Sequence, residues 1–162
     1  MTVIVGLDPG ITTGFAAFNT NGMRVLQARN FRSIPRDSMV YNNHMRIEDL
    51  ARTLENLDEE YHLIVVMEDF LGAGYRNNDN KNTIKILGYI EYLCKYYGYE
   101  YYIQPPQFRK PYLEEAQEYF KTYVDESPVL KDSWKNKSFS RHMVDALAHA
   151  VGRFHVLARR EA

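Results

Sequence analysis

Three strand-like segments come before the first helical pattern of this chain, and this order is its strongest constraint on the fold. Residues 3–8 form a β-branched run that stops at Pro9 and Gly10, and residues 14–18 and 23–31 read as two more strands around an Asn- and Gly-containing turn. We therefore predict an antiparallel meander at the start of the chain. This order of elements differs from that of a doubly wound nucleotide-binding fold, in which strands alternate with helices from the first strand onwards.

The remainder of the chain alternates helices with strands. Apolar residues recur at helical spacing from Met45 to Leu57, and residues 63–67 form the most strand-like run. Because this strand follows a helix, we predict that it pairs parallel to the first strand. The later elements are predicted as a surface loop over 72–82, a helix over 83–97, a strand over 99–104, a helix over 108–124 interrupted near Pro111, and a last helix with its N-cap at Ser138 or Ser140. The prediction is an α/β fold with a five-stranded mixed sheet, its first three strands antiparallel, flanked by helices.

Composition narrows the class of protein. A length of 162 residues with 45% hydrophobic content suits a single domain over residues 1–162. With 20 basic and 21 acidic residues the formal net charge is -1, so any basic surface that binds a polyanion must be local. The longest purely apolar run is 63–67, so no membrane partner is expected, and Cys94 alone allows no intrachain disulfide. We expect a cytoplasmic protein.

Three carboxylates have similar addresses in the predicted fold. Asp8 ends the first strand and Glu68 directly follows the run 63–67. Since neighbouring strands lie about 4.8 Å apart, both side chains reach one edge of the sheet. Asp145 lies early in the last helix, and His142, three positions before it, shares its helix face. Clustered carboxylates repel one another unless a cation is bound, so we predict that these four residues form a catalytic metal site.

The ligand types indicate the chemistry. Carboxylate ligation suits Mg²⁺ or Mn²⁺, and two such ions about 4 Å apart can activate water and stabilise the leaving oxygen of a phosphodiester. Singly, Asp8 could be a turn residue and Asp145 a solvated helix residue. Asp69 alternates to the opposite strand face, so Glu68 is preferred as a ligand. His149, one turn past Asp145, is predicted to be a packing histidine.

Three short motifs in this order resemble those of RuvC-type Holliday junction resolvases, and phage-encoded relatives in particular. The motifs are Gly-Leu-Asp-Pro-Gly at 6–10 followed by Thr13 and Gly14, Val-Met-Glu at 66–68, and Asp-Ala-Leu-Ala at 145–148. The resemblance implies an RNase H-like fold, a homodimer, and Mg²⁺-dependent paired nicking of four-way DNA junctions. It implies that Asp8, Glu68 and Asp145 bind the metal, and that His142 takes a position that holds an acidic residue or a histidine in the family.

The resemblance also implies contacts with DNA. Pro-Gln-Phe-Arg-Lys at 106–110 is similar to a family segment after the last strand, so Arg109 and Lys110 are predicted to contact the junction backbone. The family carries an aromatic wedge after the catalytic Glu, for which Phe70 or Tyr75 is the candidate, with a packed loop aromatic as the alternative. Further basic residues near the loop or the last helix are candidates for phosphate contacts: Arg76, Lys81, Lys135, Lys137 and Arg141.

Alternative roles remain open from the sequence. The apolar residues of the second helix form either a dimer interface or part of the core: Ile84, Ile86, Leu87, Ile90 and Leu93. An RNase H-like nuclease acting on RNA or other branched DNA would share the metal site, and a non-catalytic nucleic-acid-binding module would share only the fold. An actin-like nucleotide enzyme would need two large lobes, and the chain has no GxxxxGK[ST] motif, so no nucleotide cofactor is expected.

Overall fold

A computed structural model describes residues 1–33, 44–70, 78–127 and 137–161. The first three strands form the predicted antiparallel meander: β1 (Thr2–Asp8), β2 (Thr12–Asn19) and β3 (Arg24–Arg32). The turn between β1 and β2 is closed by Thr13, whose hydroxyl donates a hydrogen bond to the carbonyl of Gly10 over 3.0 Å. Each of these strands lies within two residues of its predicted position.

The sheet has six strands, so the predicted count of five was wrong. The additional strand, β4 (His44–Arg46), is short and runs parallel to β3 at the edge of the sheet. A 3₁₀ turn, Ile47–Asp49, then leads into α1 (Leu50–Asp58). The helix predicted from Met45 thus starts five residues later, because the spacing of Met45 and Ile47 also fits the two-residue period of a strand.

Two parallel strands complete the sheet on its other side. β5 (His62–Glu68) pairs parallel to β1, as predicted, and β6 (Glu100–Gln104) pairs parallel to β5. They are joined by α2 (Asn78–Tyr97), which begins inside the predicted loop over 72–82. The strand order is β4-β3-β2-β1-β5-β6, so β1 and β5 are neighbours inside the sheet, and neither is an edge strand.

The C-terminal part contains two helices after a 3₁₀ segment. Residues Pro106–Tyr112 form the 3₁₀ segment, which contains Pro111, and α3 (Leu113–Asp125) follows it. The α-helix predicted from residue 108 therefore begins five residues later, because Pro111 cannot donate the backbone hydrogen bond of an α-helix interior. α4 (Lys137–Glu161) begins before both predicted N-cap serines, which lie within the helix. None of the helices in the described parts of the chain has the length and apolarity that a membrane span requires.

The helices cover both faces of the sheet. α1 and α2 pack on one face, over alternate residues of β1 such as Val3 and Val5, and α3 and α4 pack on the other. The residues Ile86, Ile90 and Leu93 of α2 are buried in the first of these cores. For these three residues, core packing rather than a dimer interface is therefore the observed role.

Candidate active site

Two of the predicted carboxylates meet where the central parallel strands end. Leu7 of β1 lies opposite Met67 of β5, so the next residues, Asp8 and Glu68, follow at the same edge of the sheet. Asp8 is buried and Glu68 is partly exposed, with side chains 11% and 14% exposed. The carboxylates are therefore largely withdrawn from water but still reachable from it.

α4 brings two further predicted residues to this edge because it lies directly against the strands. A Cβ at Gly14 would collide with the backbone carbonyl of His142, and a Cβ at Gly6 would collide with that of Ala146. Glycine at both positions lets the helix backbone touch β1 and β2. This close approach places His142 and Asp145 beside Asp8.

A hydrogen bond joins His142 to Asp8. Nδ1 of His142 lies 3.0 Å from Oδ2 of Asp8. An ionised carboxylate only accepts hydrogen bonds, so Nδ1 carries the shared proton and the neutral ring has an unprotonated Nε2. The His142 side chain is 37% exposed, so the ring is held in place without being sealed from solvent.

Arg109 lies between the other two carboxylates. Its guanidinium donates a hydrogen bond to Oε1 of Glu68, and its Nε is 3.6 Å from Oδ1 of Asp145. The residue follows β6, which is the neighbour of β5, so the chain returns to the same edge of the sheet. Arg109 therefore acts as a bridging cation between Glu68 and Asp145.

His149 lies behind Glu68. The ring is fully buried, and its Nε2 is 3.2 Å from Oε1 of Glu68. Burial lowers the pKa of His149 to about 4, so the ring is neutral at physiological pH. The predicted packing role is therefore incomplete, because this histidine also contacts a candidate metal ligand.

The electrostatics of Asp145 reflect the crowding of acids. Burial raises the pKa of Asp145, and the nearby Asp8 carboxylate raises it further, while Arg109, Arg141 and His142 act in the opposite direction. The net shift is upward, so the basic residues present do not fully compensate the burial and repulsion of the acids. Such a site favours an additional cation.

Two solved structures show which known fold this arrangement belongs to. RuvC of Thermus thermophilus, in complex with Holliday junction substrate, is 23% identical and superposes with a TM-score of 0.61, covering 98% of this chain and 96% of that chain. A second structure of Thermus thermophilus RuvC is 23% identical with a TM-score of 0.60, covering 97% and 96% of the two chains. This chain has the RuvC fold. The fold implied by the three motifs is therefore confirmed, with one more strand than predicted.

The likeness to RuvC is one of fold. The yeast mitochondrial Holliday junction resolvase is 16% identical with a TM-score of 0.47, covering 98% of this chain and 80% of that chain. No protein-family model matches the chain, and no curated protein matches it.

The acids of this RuvC fold have the donor chemistry of a divalent-cation site. Among the described residues, no three His, Cys, Asp or Glu side chains form a ready-made metal-binding group. Instead, the guanidinium of Arg109 lies between Glu68 and Asp145, and Asp8 is paired with His142. Carboxylate oxygens are the ligands of Mg²⁺ and Mn²⁺, and Arg109 stands in for a cation among them. The residues fit such ions once Arg109 withdraws.

The structure describes only some of the predicted DNA-contact residues. Phe70 is half-buried just after β5, and its N–H donates to the carboxylate of Asp69 over 2.8 Å. Three of the predicted basic residues are exposed in this structure: Lys81, Lys110 and Arg141. Arg109 contacts Glu68 and Asp145 in this structure, and its contact with DNA stays a prediction. Tyr75, Arg76 and Lys135 lie outside the described residues, as does the side chain of Lys137.

An open pocket of about 530 Å³ lies beside Asp145, between α3 and α4. Apolar side chains including Phe120 and Val144 line it, together with the cations Lys121 and Arg141. Lys121 was not predicted as a site residue, because the helix that carries it is otherwise acidic. Gln104 was also missed, although it ends β6 at the same sheet edge, where the rule that located Asp8 and Glu68 applies equally.

Proposed function

We propose that this chain is a metal-dependent endonuclease that resolves four-way DNA junctions by paired phosphodiester hydrolysis. The observation that carries the proposal is the meeting of Asp8, Glu68 and Asp145 at one sheet edge in a chain with the RuvC fold. The fold alone does not assign an activity, because function depends on the site that a fold carries. Here both the fold and the acidic site support the same reaction.

Each residue has a defined task in this proposal. Asp8, Glu68 and Asp145 would hold two Mg²⁺ ions, with Mn²⁺ as a substitute, and His142 would assist as a ligand or proton carrier. Bound ions would supply the Lewis acidity that activates water and stabilises the leaving oxygen. Asp8 holds Nδ1–H of His142 over 3.0 Å, so Nε2 is the atom that receives and returns a proton.

Arg109 changes partners during the cycle. It bridges Glu68 and Asp145 in this structure, and its side chain is 26% exposed. A divalent cation carries more charge than the guanidinium and competes for the same oxygens. Once released, Arg109 binds a DNA phosphate, for which its planar fork of donors is well suited, and Lys110 adds a second contact.

Further aromatic and basic residues of the chain contact the DNA in this proposal. Phe70 or Tyr75 stacks at the branch point, and basic side chains bind the backbone: Arg76, Lys81, Lys135, Lys137 and Arg141. Because the formal net charge is -1, these local contacts have to supply the attraction to DNA. A homodimer would present two sites to two strands of a pseudo-symmetric junction. We assign the activity to recombination, repair or phage DNA processing in the cytoplasm of a bacterial or phage-infected cell.

Cleavage of defined substrates tests this proposal. End-labelled four-way junction, linear duplex and RNA–DNA hybrid are incubated with the purified chain in Mg²⁺ or EDTA. We expect paired nicks in the junction alone, and only with Mg²⁺. Asp8→Asn removes a ligand and should slow cleavage by more than about 100-fold, since changes even to the residues that support ligands cost about 10- to 100-fold.

Asp125→Asn is the matched control, because Asp125 is an exposed acid at the end of α3. This variant should cleave the junction like the unmodified chain. Cleavage chiefly of the hybrid would instead assign an RNase H-like nuclease. Tight junction binding without cleavage in Mg²⁺ or Mn²⁺ would assign a non-catalytic binding module.

A further inference from the structure

A chain of buried polar side chains lies behind Glu68. Gln104, at the end of β6, is 2% exposed, and His149, in the middle of α4, is fully buried. Nε2 of Gln104 lies 2.9 Å from Nδ1 of His149. Unpartnered polar groups at this depth destabilise a fold, so this pairing and the contacts at its two ends are needed for the fold to tolerate them.

Arg153, which lies at the end of this row of side chains farther from Glu68, fixes the direction of the hydrogen bonds. Nε of Arg153 lies 2.9 Å from Oε1 of Gln104, and a guanidinium can only donate. The amide oxygen of Gln104 is therefore the acceptor, which leaves its NH₂ group to face His149. That NH₂ group also donates to the backbone carbonyl of His149 over 3.3 Å.

The same logic fixes the tautomer of His149. Its Nδ1 accepts the proton of the Gln104 amide, so the hydrogen of the neutral ring is on Nε2. Nε2 then donates to Oε1 of Glu68, 3.2 Å away. The ring of Phe108 stacks parallel to the imidazole, with ring centroids 6.0 Å apart and an interplanar angle of 5°. Rotation of the imidazole out of this arrangement is therefore restricted.

Arg153, the first of these hydrogen-bonded side chains, is itself held in place by an aromatic ring. Its guanidinium lies 3.9 Å from the centroid of the Tyr102 ring, a distance typical of a cation–π contact. Tyr102 and Gln104 lie on the same strand, two residues apart, so β6 supplies both the support for Arg153 and its acceptor. The row of hydrogen bonds thus begins at Arg153 on α4 and passes to Gln104 on β6. From there it returns to His149 on α4 and reaches Glu68 at the end of β5.

We propose that Arg153, Gln104 and His149 form a positioning relay that fixes the Glu68 carboxylate for metal binding. The relay rests on the proposed function, because it is Glu68's role as a ligand that gives the relay a purpose. In this relay the three residues act on the metal through Glu68, so they are positioning residues. Residues that hydrogen-bond metal ligands in this way typically change metal affinity or activity by about 10- to 100-fold when they are replaced.

Two substitutions at one position separate the relay from simple packing. His149→Phe keeps a flat ring against Phe108 but removes both hydrogen bonds. His149→Gln restores an N–H donor at a reach similar to that of Nε2. Binding of Mn²⁺ to the DNA-free protein is measured by calorimetry at pH 7.5. We expect His149→Phe to weaken Mn²⁺ binding by about 10- to 100-fold, and His149→Gln to recover most of the loss.

The control is His155→Phe, on the same helix. His155 is paired with Glu115 at 2.7 Å and stacks on Tyr112, away from Glu68. The His155→Phe protein should bind Mn²⁺ like the unmodified chain. Junction binding without metal should be unchanged in every variant. A His149→Phe protein that binds Mn²⁺ as tightly as the unmodified chain would overturn the relay.

Two further measurements keep the outcome clear. Nitrogen-15 NMR of the metal-free protein should show His149 protonated at Nε2, and protonation at Nδ1 would overturn the relay even if His149→Phe fails to fold. Glu68→Gln shows whether the site binds metal at all. If the unmodified chain and Glu68→Gln bind Mn²⁺ equally or not at all, the proposed function fails together with the relay, whereas a relay failure alone leaves the Glu68-dependent binding intact.

Discussion

The fold disfavours the ionised form of the Asp145 side chain. Burial raises its pKa above the ordinary value of an aspartate, and Arg109 has the largest opposing effect. The folded chain therefore binds this proton more tightly than the unfolded chain does. The stability gained in this way is present below the unfolded pKa and is lost as pH rises through the folded pKa. At neutral pH the ionised carboxylate makes the metal-free fold less stable.

We predict that Asp145→Asn is more stable than the unmodified chain at pH 7.5 in EDTA, because the amide carries no charge to bury. The melting temperature should rise by roughly 2–4 °C for each kcal/mol of removed penalty. The difference should shrink towards zero as the pH falls below the unfolded pKa, because the acid is then protonated in both states. Mg²⁺ should reverse the order, since only the unmodified site binds it well.

Differential scanning fluorimetry across pH measures this effect. Asp125→Asn is again the control, since this acid is exposed and should show no such pH-dependent gain. An Asp145→Asn protein with the same melting temperature as the unmodified chain at pH 7.5 and 3.5 would contradict the electrostatic account.

At the scale of elements, the predictable part of the fold is the part with long repeating patterns. β1 and β5 were predicted to within one residue because each is a continuous β-branched or apolar run. β4 has three residues, too few for a period to show, and its apolar positions merge with those of α1. α4 begins before Ser138 and Ser140, the two residues predicted as its N-cap, because residues of its first turns are compatible with a helix interior as well as with an N-cap.

The same distinction applies to the candidate site. Strand ends located Asp8 and Glu68, and helical spacing located His142 and Asp145. The pairing of Arg109 with Glu68 and that of Gln104 with His149 join elements 41 and 45 residues apart in sequence. Such pairs leave no periodic signal, because they depend on how β6 and α4 pack at the sheet edge.

The contact between α4 and β2 gives an element-scale prediction. Gly14→Ala places a methyl group against the backbone carbonyl of His142, which cannot rotate away. The helix must then move off the strand, which should lower the free energy of unfolding by about 1–3 kcal/mol. His142 and Asp145 move with the helix, so Mg²⁺-dependent cleavage should fall as well.

Urea unfolding of Gly14→Ala and Gly22→Ala makes this comparison. At Gly22 the nearest atoms to an added Cβ are side-chain atoms of Arg24, at 3.6 Å and beyond, which is ordinary contact distance. That variant should differ from the unmodified chain by less than about 0.5 kcal/mol. Equal stability of the two variants would show that α4 does not depend on close backbone contact with β2.

At the scale of the whole molecule, α2 has an outer face that the sheet does not cover. Its Ile86, Ile90 and Leu93 face the core, whereas Tyr92 and Tyr96 are 60% and 69% exposed. These two rings stack with their centroids 6.0 Å apart and form a continuous aromatic surface. Exposed tyrosines of this kind are enriched at protein interfaces. This surface is therefore where we expect the proposed homodimer to form.

The double variant Tyr92→Glu with Tyr96→Glu tests this expectation by sedimentation at micromolar concentration. The unmodified chain should sediment at twice its mass of 19.0 kDa, and the variant should sediment as a folded monomer, because both side chains are exposed. Asn56→Glu, an added charge at an exposed position of α1, should remain dimeric. Paired nicking of a junction needs two sites held together, so the monomer should leave only unpaired nicks. An unmodified chain that is monomeric yet still nicks in pairs would contradict the dimer, because one acidic site meets one strand at a time.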